Sequence, residues 1–214
     1  MKEILHPEQK EYLDSFNKET NKLLLEMEEF AEKNKVPILS QDSARLMELL
    51  IQMHKPERVL ELGTAIAYTT IRIAGNLKKG GKIHTIEFSE DNEKLAKAYV
   101  KKSGLSKKIK LLFGDAKKVM PTLRKKYDFI FLDADKEDYL ALFEHAMKLL
   151  KKNGVLFVDN LLWHGYAASN EVPEKYKTST KFIRDFNKVF MDHPQLKTTL
   201  VPVGDGIGLG IRIK

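Results

Sequence analysis

The sequence predicts an α/β fold built on a mostly parallel seven-stranded sheet that ends in an antiparallel hairpin, with helices on both faces and an extra helical layer in front. Three observations carry this. From Arg58 to Val158, short β-rich apolar runs alternate with segments of helical length, the rhythm of parallel strands joined by crossover helices. The last two runs are separated only by Gly204-Asp205-Gly206, a link suited to a hairpin. Before Arg58, apolar residues recur at helical spacing.

In chain order, Tyr12, Phe16, Leu23, Leu24, Met27 and Phe30 place an amphipathic helical layer over residues 7–35. Val36-Pro37 interrupts it, because the residue before proline avoids helical backbone. A second helix then runs from Asp42 to Met53 with Ser40 or Asp42 as its cap, so two helices are expected before the first strand. The strand runs are Arg58–Leu62, Lys82–Glu87, Lys110–Phe113, Tyr127–Leu132, Val155–Val158, Thr198–Val203 and Ile207–Ile211. One long connection, Leu161 to Lys181, contains Trp163, Tyr166, Pro173 and Tyr176 and suggests a flap over a site. No internal repeat or domain boundary is visible. Residues 1–214 are expected to form one domain, with 1–53 as the helical layer and 54–214 as the core.

Composition narrows the chemistry. With 43% hydrophobic residues in 214, a sizeable core can close without staples. The absence of cysteine excludes disulfides, thiolate metal sites and a cysteine nucleophile together, so any metal is held by oxygen or histidine. Met1–Lys10 lacks the apolar stretch of an export signal, and no apolar run approaches the roughly 20 residues that span a bilayer, so a cytoplasmic protein is expected. The net charge of +7 favours an anionic partner such as nucleic acid, or simply solubility.

In open parallel sheets, ligands bind beyond the carboxyl ends of the strands, and here those ends are acidic. The first reads Glu61-Leu62-Gly63-Thr64, then Tyr68 and Thr69: a strand turning through one glycine where a dinucleotide fingerprint has three. The second ends at Glu87-Phe88, and Glu87 lies 24 positions after Gly63, where an acid can accept ribose hydroxyls. With little glycine to approach a diphosphate, a sulfonium nucleoside, S-adenosylmethionine, suits this loop better than NAD. The third run ends Gly114-Asp115-Ala116, a place to hold an adenine amino group and equally a helix N-cap. Asp133, Asp159 and Asn160, from the ends of the fourth and fifth runs, supply three oxygen ligands for a hard divalent ion such as Mg²⁺, Mn²⁺ or Ca²⁺. Lys136 is a candidate general base, and equally a surface lysine paired with Asp135 or Asp138.

Together these residues resemble the cation-dependent O-methyltransferases related to the catechol and caffeoyl-CoA enzymes. The resemblance runs from about Val36 to the C-terminus. Its most specific parts are Glu61-Leu62-Gly63-Thr64, Leu132-Asp133-Ala134-Asp135-Lys136, Val158-Asp159-Asn160 and Val201-Pro202-Val203-Gly204-Asp205-Gly206. It implies a Rossmann-like class I methyltransferase fold and a metal on Asp133, Asp159 and Asn160. Lys136 then deprotonates the acceptor. A cofactor pocket is implied at Ile38, Gly63, Thr69, Glu87, Asp115 and Ala116. Ala67 departs from the pattern, where relatives often carry glycine.

Within that family, the Val36-Pro37-Ile38 segment and the ending from Asp192-His193-Pro194 look most like bacterial tRNA 5-hydroxyuridine methyltransferases. The resemblance then implies formation of 5-methoxyuridine at the tRNA wobble position, since the 4-oxo and 5-hydroxy oxygens are vicinal as in a catechol. Lys175, Lys177, Lys181 and Arg184 around the flap are candidate phosphate contacts, with Lys107, Lys108, Lys110, Lys117 and Lys118 further off. Methylation of a small catechol or polyphenol is the alternative. A non-catalytic or dinucleotide-binding α/β protein is the rival from another class. The surplus apolar surface of the N-terminal helices, with the family's habit, makes a homodimer the expected assembly. His164 is expected to belong to the flap and not to the metal, while Trp163 and Tyr166 suit either base stacking or a plain hydrophobic lid.

Overall fold

The computed structural model describes residues 6–214, so the first half of the Met1–Lys10 segment lies outside the described residues. The sheet has seven strands: β1 (Arg58–Leu62), β2 (Lys82–Glu87), β3 (Ile109–Phe113), β4 (Tyr127–Leu132), β5 (Leu150–Val158), β6 (Leu196–Val201) and β7 (Ile207–Arg212). Their spatial order is β3-β2-β1-β4-β5-β7-β6. The first five are parallel, and β7 runs antiparallel to both β5 and β6. The order reverses between β1 and β4, which opens the crevice where such sheets bind ligands.

Alternation along the strands assigns the two faces. Val59, Phe129, Phe131 and Phe157 pack with Met47 and Ile51 of α3 (Gln41–His54) and with Ile73 and Ala74 of α4 (Tyr68–Asn76). Leu60, Ile130, Leu132 and Leu156 point the other way, into a cluster with Phe143 of α7 (Tyr139–Leu149) and Phe186 and Phe190 of α8 (Lys177–Met191). α5 (Glu90–Lys102) closes the β2 side through Ala96, Tyr99 and Val100. Between β3 and β4 the chain forms only the four-residue α6 (Ala116–Val119) and a 3-10 turn at Met120–Thr122.

The front of the chain differs from expectation. Residues 7–35 form two helices, α1 (Pro7–Phe16) and α2 (Lys22–Asn34), so among the described residues three helices precede β1. The break is local hydrogen bonding that competes with helix. The Glu19 carboxylate accepts from the Thr20 and Asn21 N–H groups, and Asn21 then caps α2 by accepting from Leu23 and Leu24. The expected apolar stripe also divides, since Leu24 and Met27 are buried while Tyr12 and Phe16 are 66% and 67% exposed. Ser40 caps α3, as one of the two expected residues.

The strands match their predicted runs within two residues at most ends. β5 is the exception, starting at Leu150 because its Lys151-Lys152-Asn153-Gly154 start is polar and conceals a strand. The long connection after β5 is ordered by α8. Arg184 donates to the carbonyls of Tyr166, Ala167 and Ser169, and Trp163 Nε1 donates to Ser179 Oγ at 3.1 Å. Two 3-10 turns, Tyr166–Ala168 and Glu174–Tyr176, fill the remainder.

Candidate active site

The ends of β1, β2, β4 and β5 converge through backbone contacts. Asp133 N–H donates to the Leu62 carbonyl at 3.0 Å and Asp159 N–H to the Leu132 carbonyl at 3.1 Å. Gly63 has φ +99°, and a Cβ there would stand 1.9 Å from the Asp133 carbonyl oxygen. The single glycine of the β1 turn is thus what lets the cofactor-type loop lie against the end of β4. Ala65 and Ala67 also adopt positive φ, 46° and 69°, so the departure from glycine at 67 leaves an alanine in left-handed backbone.

Glu87 pins this loop to β2, accepting from Ala65 N–H at 2.8 Å and from Phe88 and Ser89 N–H at 3.0 and 2.7 Å. Phe88 stands exposed beside it. Thr64 shares a 2.5 Å hydroxyl contact with Thr85. Gly114 N–H donates to the Glu87 carbonyl, and Asp115 caps α6 by accepting from Lys117 N–H, with Ala116 the first helical residue. Thr69 is buried in the first turn of α4, and Ile38 packs beside Ile66 and Tyr68. The Tyr68 hydroxyl is engaged elsewhere, donating to Glu28 and accepting from Arg72.

Glu61 is wholly buried; burial, with Asp133 and Glu87 adding repulsion, pushes its carboxyl up to about 8 despite the Thr70 hydroxyl hydrogen bond. Its Oε1 has no hydrogen-bond partner. An orphaned buried carboxylate oxygen next to the β1 turn fits a cofactor that carries cationic ammonium and sulfonium groups.

The second cluster joins β4, β5 and the β6–β7 hairpin. Asp159 is 6% exposed. Burial and the neighbouring Asp133 push its carboxyl up to about 8, against the opposing Asn160 N–H and Lys136. Asn160, at φ +61°, donates its amide N–H to Asp205 Oδ2 at 3.3 Å. Among the described residues no three His, Cys, Asp or Glu side chains are grouped as a metal centre. The set Asp133, Asp159 and Asn160 is two carboxylates and an amide, and an oxygen-only set in which the buried Asp159 is crowded by a second carboxylate fits a hard divalent ion.

Lys136 does not pair with Asp135 or Asp138; Asp138 binds Lys117 instead. Lys136 turns into the site, its Nζ donating to Asp133 Oδ1 at 3.2 Å, the Ala134 carbonyl at 3.0 Å and the Tyr139 hydroxyl at 2.8 Å. The amine also lies 4.7 and 5.6 Å from the Tyr139 and Trp163 ring centres.

Two site residues escaped the sequence reading. Tyr139 is fully buried, with its hydroxyl held well above the ordinary phenol range by burial and by Asp133 and Asp159, and it donates to the Asp159 carbonyl at 3.1 Å. Following Lys136 by three, it reads in sequence as a core aromatic. Asp205 accepts from the His164 N–H as well as from Asn160, and burial raises its carboxyl too. Between two glycines it reads as turn chemistry, yet Gly206 is there because a Cβ would meet Leu162 at 2.5–2.8 Å. His164 belongs to the flap, packed among Trp163, Tyr166 and Tyr176.

Residues 13–213 match the O-methyltransferase family. A Medicago sativa caffeoyl-CoA O-methyltransferase is 32% identical over 184 residues, covering 82% of this chain and 74% of its own. A Staphylococcus aureus protein assigned to the caffeoyl-CoA O-methyltransferases superposes with a TM-score of 0.89 at 28% identity, covering 95% of this chain and 99% of that one. An O-methyltransferase from Bacillus cereus, solved with S-adenosylhomocysteine, shares the fold at a TM-score of 0.81 and 24% identity, covering 94% and 96%. With a family match over nearly its whole length, the chain belongs to the O-methyltransferase family and is an S-adenosylmethionine-dependent O-methyltransferase of the caffeoyl-CoA type.

Proposed function

We propose that this enzyme methylates one of two vicinal oxygens on an aromatic acceptor, with Asp133, Asp159 and Asn160 as the ligands of a divalent cation. The single observation that carries it is the buried Asp159 carboxyl set beside Asp133 at the adjoining ends of β5 and β4. A bound cation supplies charge neutralisation for those carboxylates and Lewis acidity toward vicinal acceptor oxygens. Asp205 accepts from the Asn160 amide N–H, and the amide oxygen would then be the atom that serves as a metal ligand. Lys136, held by Tyr139 and Asp133, is the group that takes the acceptor's proton at Nζ. Glu87 and the Gly63 turn hold the cofactor loop, which keeps methyl donor and acceptor at attack distance. Trp163 and the ordered flap exclude water from that space.

A catechol-type acceptor is the reading the relatives favour, since those named are caffeoyl-CoA enzymes. Methylation of 5-hydroxyuridine in tRNA, with the same vicinal oxygens, is the second reading and is supported by the net charge of +7. Labelled S-adenosylmethionine offered with Mg²⁺ or Mn²⁺ to a simple catechol and to tRNA containing 5-hydroxyuridine separates them. Labelling of neither, or labelling that survives a chelator, removes the proposal. A homodimer is part of the same reading. No residue of α1 is buried, and exposed Tyr12, Leu13 and Phe16 form an apolar face suited to a second copy. Sedimentation as a monomer at micromolar concentration would remove it. No described helix is long and apolar enough to cross a membrane.

A further inference from the structure

The short β3–β4 connection leaves part of one sheet face bare. Over the amino-terminal halves of β2 and β3, Lys82, His84 and Lys110 stand on the face that α7 and α8 cover elsewhere, with His84 and Lys110 in register. The result is a groove of about 620 Å³, floored by Leu112, Val119, Leu123 and Tyr127. Its rim carries Lys82, Lys107, Lys108, Lys110, Arg124 and Lys125, and no Asp or Glu lines it. Two of these cations serve the fold. Lys108 donates to the Ala74 and Leu77 carbonyls and Lys82 to the Lys107 carbonyl. Lys107, Lys110, Arg124 and Lys125 make no salt bridge among the described residues. His84 registers the resulting positive potential: burial, then Lys110, Lys125 and Arg58, hold its imidazole below the ordinary range.

The other four cations, Lys107, Lys110, Arg124 and Lys125, lie together without a carboxylate, a cost to the folded protein unless an anion covers them. Their distribution indicates what kind. From β3 across β2 and β1 to the start of β4 is three strand spacings, about 14 Å, and one nucleic-acid strand places a charge roughly every 3.4 Å of axis. The row therefore spans more than one phosphate of a strand instead of converging on one. The rim is hydrophilic and the surface concave, which suits a strand laid into it and gives a flat lipid surface no apolar side chain to take up. The cationic rim lies down the strands from the active site, about 10 Å from Glu87 at His84 and Lys110 and about 17 Å at Lys82.

We infer that this groove is a docking site for the sugar-phosphate backbone of an RNA, holding it at a distance from the methyl-transfer centre. The choice of RNA as the polyanion rests on the tRNA reading of the acceptor.

The test is filter binding of an unmodified tRNA transcript to the intact protein across a salt series, for the wild type and for two triple variants. One reverses charge (Lys110→Glu, Arg124→Glu, Lys125→Glu), and one neutralises the same three exposed residues to Gln. The reversal should weaken RNA affinity at least tenfold, and both variants should flatten the log–log salt slope by about 2. Methyl transfer to a small catechol should be unchanged in both, which also reports that they fold. Unchanged RNA affinity in the Gln variant overturns the inference. So does equal, groove-dependent binding of inorganic tripolyphosphate or of phosphatidylserine vesicles. RNA bound through the groove but never methylated leaves the docking site standing and removes the tRNA acceptor reading. Methylation of RNA with affinity unaltered in the variants does the reverse.

Discussion

Buried charge is handled in opposite ways at two places in this molecule. Around Arg72, on α4, the buried guanidinium and its two carboxylates are paired with one another. The guanidinium, 5% exposed, binds Glu19 at 2.7 Å, Glu48 at 2.8 Å and the Tyr68 hydroxyl at 2.8 Å. Burial works against the Glu19 charge, yet the Asn21 and Thr20 N–H groups and Arg72 outweigh it and hold that carboxyl below its usual range. At the strand ends, Glu61, Asp159 and Asp205 are all raised, burial being the largest cause for each. The first network ties the N-terminal segment to α3 and α4, and its balance is internal. The second is balanced only by something brought from outside, and that asymmetry separates a structural cluster from a functional one.

The contrast predicts different responses to mutation. Arg72→Met should be the most damaging for stability, since it leaves the half-buried Glu19 and Glu48 carboxylates without their cation; a loss of about 2–3 kcal/mol in urea unfolding is expected, less than for a fully buried pair. A loss below 1 kcal/mol would show the network to be ornamental. Asp159→Asn should act oppositely on the two properties. It relieves repulsion and raises apo-protein stability by about 1 kcal/mol, while methyl transfer falls at least 100-fold, about 2.7 kcal/mol of activation free energy. Loss of both together would place Asp159 with the structural charges.

Glu61 makes a pH prediction. A carboxyl whose folded value is about 8 binds its proton more tightly folded than in the unfolded chain, near 4.3. Its contribution is therefore present at low pH and drains away as pH climbs from about 4 to 8. Glu61→Gln should flatten that slope, gaining on the order of 1 kcal/mol at pH 8, and should weaken cofactor binding seen by calorimetry. Asp128 has the contrary sign: burial is outweighed by Lys151 and by the Arg58 and Glu57 N–H groups, which hold it low. Its contribution is present above about 4 and lost as pH falls further. Asp128→Asn should flatten the acid limb of the stability curve, by about 1 kcal/mol at most.

Much of this was legible in the residues. Glu61, Asp133, Asp159 and Asn160 stand at strand ends because apolar alternation stops at them, and a local signal marks each stop. The loop at Glu19 to Asn21 was hidden because the spacing of Phe16 and Leu23 continues across it, while the hydrogen bonds that break the helix involve one side chain and its neighbours. Tyr139 and Asp205 were hidden for another reason. Each looks like an ordinary core aromatic or turn acid until the fold brings Lys136 and Asn160 to it.

The sequence alone determined the strand order of chemistry: which runs are strands, where each turns, and which oxygen and amine side chains stand at the turns. Those are properties of periodicity and of residue type within a few positions. Tertiary structure decided which carboxylates are crowded and which are paired, that Lys136 faces Asp133 and not Asp138, and that the face over Lys82 and Lys110 stays bare. Ionisation, ligand orientation and groove shape depend on burial and on neighbours many residues away, from Asn160 to Asp205 or Arg72 to Glu19, and no local pattern carries that information.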